Sequence, residues 1–248
     1  MVYDIVYLLK NDYCEEELRY SLRSVVQNFP FRKIVFVGGC PSGITPDIYI
    51  KDEQVGITKW ERSTHSLKKA IACDELTEKI WLFNDDFFVM DSIRNPKNYF
   101  GGSLEKRVID LKLKNPRGSK YINELDALRG QLIRLKKDTL NFALHIPMLV
   151  DRRQAQQIFD EFPKVKMFRS FYGNYFQIDC ELLKEDVKIY DLESLPEDFY
   201  CSTSDEAFKQ GKSGTFLKKY FATPTRYESD EVRRSEVKEL FTEEGDLL

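Results

Sequence analysis

A chain of 248 residues, 42% hydrophobic and holding 18 phenylalanines, can bury a substantial core, which excludes disorder as its default state. Its 41 acidic and 38 basic residues leave a formal charge of -3, so no overall basic field draws it to nucleic acid. No run approaches the roughly 20 apolar residues of a membrane span, and five scattered cysteines without a CxxC pair exclude a disulfide framework or a common zinc site. With an opening, "MVYDIVYLL", too short and acidic for a signal peptide, the chain reads as cytoplasmic, its thiols reduced.

"YDIVYLL" (3–9) is a compact apolar run and predicts a strand. In "CEEELRYSLRSVVQNFP", Leu18, Leu22, Val25, Val26 and Phe29 recur at helical spacing. Three glutamates lie in the first turn, where the macrodipole favours acids, and Pro30 follows the end. "KIVFVGG" (33–39) is a second strand, so the start of the chain is a βαβ unit with parallel strands and a right-handed crossover. Residues 40–56, with their Pro and Gly, read as a loop. "RSTHSLKKAIACDEL" (62–76) reads as a second helix that feeds the strand "KIWLF" (79–83). Residues 104–114 and 121–137 predict two charged amphipathic helices, an insertion spanning about 100–140. "FALHIPMLV" (142–150) then resumes as a strand, and "RRQAQQIFDEFP" as a short helix. "MFRSFYGNYF" (167–176) suggests an aromatic stretch with a tight turn at its glycine. A single helix is expected over 204–221, and a charged, solvated tail from 228.

The anomaly is "IWLFNDDFFVMD" (80–91), which sets Asp85 and Asp86 between two apolar runs with Asn84 in front. Burying a carboxylate costs several kcal/mol unless something compensates it. Either the acids begin a turn, or they hold a cation. Acids at the carboxyl end of a strand in an open α/β sheet lie where ligands bind. There a pair can hold Mg²⁺ or Mn²⁺, and the metal can bridge the diphosphate of a nucleotide donor. His145 interrupts an apolar run just before Pro147; it is a core histidine, or a base or metal ligand. Arg19 and Arg23 share one helical face and pair with Glu15 or Glu16, or else meet phosphate. Arg169, Tyr172 and Asn174 in "FRSFYGN" are core residues or a grip for phosphate and sugar hydroxyls. "VGG" (37–39) could let backbone approach a phosphate, but no P-loop lysine follows.

Taken in order, "DIVY" (4–7), "EELRYSLRSV" (16–25), "LFNDDFF" (82–88) and "HIPML" (145–149) resemble the blocks of the Stealth family of sugar-phosphate transferases. The resemblance runs from about residue 4 to 174 and implies a GT-A-like nucleotide-diphosphosugar transferase fold with a mainly parallel sheet. It matches Asn84, Asp85 and Asp86 to the family's acidic block, His145 to its later histidine, and Arg19 and Arg23 to its helical arginines. The implied chain is one catalytic domain over 1–227, with the tail at 228–248. The implied activity is a metal-dependent transfer of a sugar or hexose-1-phosphate from a nucleotide sugar to a saccharide or other hydroxyl acceptor. In that scheme Asp86 and Asp85 hold Mg²⁺ or Mn²⁺ and His145 completes the metal site or serves as base. Arg19, Arg23, Asn84, Arg169, Tyr172 and Asn174 bind substrate. Lys106, Arg107, Lys112, Lys114, Arg117 and Lys120 in the insertion would favour an anionic acceptor. Two rivals stand beside this reading: a phage DNA glycosyltransferase acting on a hydroxymethylated base, and a non-catalytic saccharide-binding module.

Overall fold

The structure is a computed structural model and describes residues 2–11, 15–117 and 119–233. β1 (Asp4–Leu9), α1 (Glu15–Asn28) and β2 (Ile34–Gly38) form the expected βαβ unit, with Ile5 opposite Ile34 in a parallel register. Of the stripe on α1, Leu18, Leu22, Val25 and Phe29 are buried, while Val26 faces outward. β3 (Ile48–Lys51) adds parallel to the outer side of β2. The segment read as loop thus contains a strand, whose residues alternate half-buried and exposed, as at a sheet edge. α2 (Lys59–Ile71) begins before the expected start, because Thr58 and Glu61 form a reciprocal capping box.

β4 (Lys79–Phe83) enters the sheet on the free side of β1, parallel to it, and β5 (Phe87–Val89) leaves the sheet after the Asn84–Asp86 loop. β6 (Tyr99–Phe100) precedes the insertion, which folds as α3 (Leu104–Lys114) and α4 (Lys120–Arg134). β7 (Met148–Asp151) closes the sheet edge antiparallel to β4. Only the end of 142–150 is therefore strand. Pro147 has no N–H to give a ladder, and the N–H groups of Phe142, Ala143 and His145 are taken by the side chains of Ser170, Asn141 and Asp186. Asp151 caps α5 (Arg152–Glu161). The aromatic stretch forms α6 (Phe168–Tyr175) rather than a turn. Gly173 is needed there for space: a Cβ would come within 2.6 Å of the Phe142 ring.

β8 (Glu181–Leu182) pairs with β6, while β9 (Lys188–Ile189) and β10 (Tyr200–Thr203) join β5 in a second sheet of order β5-β10-β9. The helix expected over 204–221 is two, α7 (Asp205–Gln210) and α8 (Lys212–Tyr220), broken at Gly211, whose extended backbone ends one and caps the other.

The main sheet has the order β3-β2-β1-β4-β7. Successive residues of a strand face opposite sides. Val6, Val35, Val37, Ile80 and Leu82 pack with α2, α4, α5 and α6 in one core, and Ile5, Tyr7, Phe36, Trp81 and Phe83 pack with α1 in the other. The two glycines of "VGG" serve this sheet: a Cβ on Gly38 would strike the carbonyl of Leu9 at the end of β1, and one on Gly39 the carbonyl of Lys10 just past it. The segment after α8 returns to the body, Tyr227 and Ser229 hydrogen-bonding Thr45 and Gly43. Glu228, expected in a solvated tail, is 3% exposed. Residues 234–248 of that tail lie outside the described residues.

Candidate active site

From β1 the chain crosses to β2 on one side; after β3 it returns through α2 to β4 on the other. The carboxyl ends of β1 and β4 therefore flank the topological switch point, the place where open α/β sheets bind ligands. The Asn84–Asp86 loop follows β4 directly, with Asn84 exposed and both acids half-buried.

The second sheet turns polar groups onto this loop. Lys188 and Ser202 are register partners on β9 and β10, and both reach Asp86. The Lys188 ammonium forms an ion pair with Asp86 Oδ2 and also donates to the Thr203 carbonyl. The Ser202 hydroxyl donates to the same Oδ2 at 2.9 Å. The other oxygen, Asp86 Oδ1, is buried and has no hydrogen-bond partner among the described residues. The Thr203 hydroxyl donates to Glu17 on the first turn of α1 at 2.7 Å. Burial pushes the Glu17 carboxyl up to about 7; the Thr203 hydrogen bond opposes this, and the Asp86 and Asp85 charges add to it. Beneath lies buried Tyr7, its hydroxyl 3.0 Å from Ser21 Oγ, with its phenol raised by burial and, more weakly, by the charge of Asp85.

Arg169 on α6 props the loop from its other side. Its guanidinium donates to the carbonyls of Ile146 at 2.6 Å and Leu82 at 3.1 Å and to Asn84 Oδ1 at 3.3 Å, and lies over the Phe87 ring. Burial lowers this group to about 10, with the Asp86 charge opposing, which leaves it cationic at neutral pH.

His145 is not packed in a closed apolar core. Its Nδ1 is 2.8 Å from Asp186 Oδ2, and its backbone N–H donates to Asp186 Oδ1 at 3.1 Å. Burial would raise the Asp186 carboxyl, yet His145 and the charge of Arg107 hold it below the usual range. Arg107 belongs to α3 and also hydrogen-bonds Tyr121 of α4, so the insertion leans on this pair. Asp186 and Lys188 are two residues apart, about 7 Å of extended chain. One short segment thus holds both His145 and Asp86.

Three expected substrate ligands are placed otherwise. Arg23, 2% exposed, is clasped by Glu228 through Nε–Oε1 (2.9 Å) and Nη2–Oε2 (2.5 Å), and donates to the Phe221 and Ala222 carbonyls. Tyr172 gives its hydroxyl proton to Gln154 and accepts from the Asp151 N–H. Asn174 brackets both polar groups of the Leu140 backbone. These side chains hold elements together, as buried polar groups must find partners. Arg19 is half-buried on α1. Glu17, Lys188 and Asp186 join the candidate site without having been expected from the sequence. The one available signal was Lys188, a lysine inside the apolar run "VKI", since lysines are seldom buried unpaired. Among the described residues, no three His, Cys, Asp or Glu side chains come together to hold a metal.

No family description and no curated protein matches the sequence. Among solved structures, the chain is similar to the galactosyltransferase LgtC in complex with donor and acceptor sugar analogs, at 11% identity and a TM-score of 0.51, covering 94% of this chain and 99% of that one. Mouse xyloside xylosyltransferase 1 follows at 10% identity, a TM-score of 0.35 and coverages of 92% and 96%. The glycosyltransferase GlyE of Streptococcus pneumoniae gives 12%, 0.37, and coverages of 74% and 45%. The first likeness carries the argument. With the sheet order above, it shows a GT-A-like α/β fold, as expected, without singling out the Stealth family within it. No helix of the described residues is long and apolar enough to cross a membrane.

Proposed function

We propose that this chain is a nucleotide-sugar-dependent transferase that moves a sugar or a hexose-1-phosphate to a saccharide or other hydroxyl acceptor. The observation that carries the reading is the cluster of Glu17, Asp85, Asp86 and Lys188 at the switch point of a GT-A-like sheet. A sheet of this kind needs no such partly buried charge for stability, and replacing buried ion pairs with apolar residues is often neutral. The Stealth resemblance supports sugar-phosphate transfer in particular.

In this reading the donor lies in the crevice between β1 and β4, its diphosphate toward the Asn84–Asp86 loop. His145 takes the proton of the acceptor hydroxyl. Its Nδ1–H is held by Asp186, so Nε2 is the basic nitrogen. Attack at C1 releases a nucleoside diphosphate, and attack at the β-phosphorus releases a nucleoside monophosphate; in both the hydroxyl proton goes to His145. The insertion, through Arg107, borders the acceptor side, where a cation favours an anionic acceptor. A Mg²⁺ or Mn²⁺ ion would be held by Asp86 and Asp85 and would neutralise the leaving phosphate. The side chains do not favour that fit: Oδ2 of Asp86 already carries Lys188 and Ser202, and a dication on Oδ1 would share one carboxylate with an ammonium. No step is therefore assigned to a metal. No specific observation supports the DNA-modifying or the non-catalytic reading.

The test is a panel of nucleotide sugars in thermal unfolding, followed by transfer assays. A bound donor at a hundred times its Kd adds about 2.7 kcal/mol, a rise of several degrees. His145→Ala is expected to keep donor binding and lose about 10²–10⁴ in turnover. If no nucleotide sugar stabilises the chain, the reading fails.

A further inference from the structure

The sequence poses two carboxylates in search of a cation, and the fold supplies one from 102 positions away. Resting on the transferase reading of this site, we propose that the ε-ammonium of Lys188 is its resident cation. It stands at Asp86 in place of a divalent ion and receives a phosphate oxygen of the donor.

Three features of the geometry carry this. The pair is built in rather than casual: the Lys188 and Asp86 side chains are 12% and 15% exposed, and β9 and β10 hold Lys188 beside Ser202 so that both converge on one oxygen. An ammonium has three hydrogens. Asp86 and the Thr203 carbonyl take two, which leaves one for a third acceptor. Lysine is also a compact point charge on a flexible stem, suited to sharing itself between a carboxylate and an incoming phosphate. Surface ion pairs contribute little and need no explanation. A largely buried one at the switch point, beside exposed Asn84 and half-buried Asp85, holds positive charge where a diphosphate would arrive. Lys188 makes and breaks no bond in this scheme; it offsets negative charge on the phosphate, the task otherwise given to a metal.

The experiment has a metal arm and a nucleotide arm. In the first, Mn²⁺ alone is titrated into the wild-type chain and followed by electron paramagnetic resonance, then into Lys188→Met. The wild type is expected to bind no stoichiometric Mn²⁺, while the variant, its Asp86 freed, binds it more tightly. In the second, nucleoside diphosphates (UDP, ADP, GDP, CDP) are titrated calorimetrically in EDTA and again in saturating Mn²⁺. Affinity is expected to change by less than about threefold between the two conditions. Lys188→Met should lose about tenfold or more in EDTA, with Lys188→Arg retaining most of it. Stoichiometric Mn²⁺ on the wild type, or nucleotide binding that requires Mn²⁺, overturns the inference and leaves the transferase reading standing. Failure of every nucleotide under both conditions removes the transferase reading and this inference with it. The wild-type measurements decide whether a metal is needed even if the Lys188→Met chain does not fold. An EDTA affinity unchanged in Lys188→Met, or in Lys188→Gln where the former does not fold, overturns the role given to Lys188.

Discussion

Glu17 lies between the Thr203 hydroxyl and the two acids of the loop, and burial, joined by those acids, raises its carboxyl to about 7. The sign of the consequence follows from proton linkage. Between the ordinary glutamate range and about 7, the folded chain holds a proton that the unfolded chain has lost, so this contribution to stability is full at low pH and declines as pH rises through 7. Glu17→Gln removes the titration. Its melting temperature relative to wild type is expected to rise from pH 5 to pH 8, by a few degrees at most; a flat difference across that window refutes the assignment. Asp85, Asp86 and His145 could be picked out of the sequence as candidates because an ionisable residue in an apolar run is anomalous on its face. Glu17 was not, because it is one of three glutamates that the helix dipole already accounts for. Asp186 sits in the polar stretch "KEDV" and gains meaning only from a partner 41 positions away; Lys188, between Val187 and Ile189, stands out only faintly, and its partner lies 102 positions away.

Elements show the same division between local and distant causes. β1, α1, β2, β4 and the two insertion helices follow from periodicity and end signals within each segment. α6 does not. A glycine among aromatics reads as a turn, but Gly173 is there because Phe142, from a different part of the chain, packs against its Cα. Gly173→Ala should therefore destabilise the fold although alanine is the better helix former. Overpacking costs about 1–3 kcal/mol, and the loss should be largely reversed in the pair Gly173→Ala with Phe142→Leu. Urea unfolding of the three variants checks this, and a stabilised Gly173→Ala would show that the ring does not confine the helix. The irregular run before β7 is likewise settled by side chains that satisfy backbone groups from outside the segment, and at the break after Gly211 the N–H of Lys212 goes to the distant Leu192 carbonyl.

At the scale of the whole molecule, the return of the chain after α8 matters most. Arg23 and Glu228, 2% and 3% exposed, join α1 to the far end of the packed body. Removing one partner of such a buried pair costs about 3–5 kcal/mol, whereas replacing both with apolar residues of similar size is near neutral. Glu228→Ala is expected to fall in that range, and Arg23→Met with Glu228→Leu to recover most of it, as measured by denaturant midpoints at constant slope. Nothing near residue 228 in the sequence announces this, because its partner lies 205 positions upstream. That separation also orders events during synthesis. On the ribosome α1 emerges long before the carboxylate that clasps its arginine, and bringing such distant segments together carries a loop-closure cost that no local contact offsets. The first βαβ unit can pair its strands early, but its helix docks in final form only once residue 228 has been made.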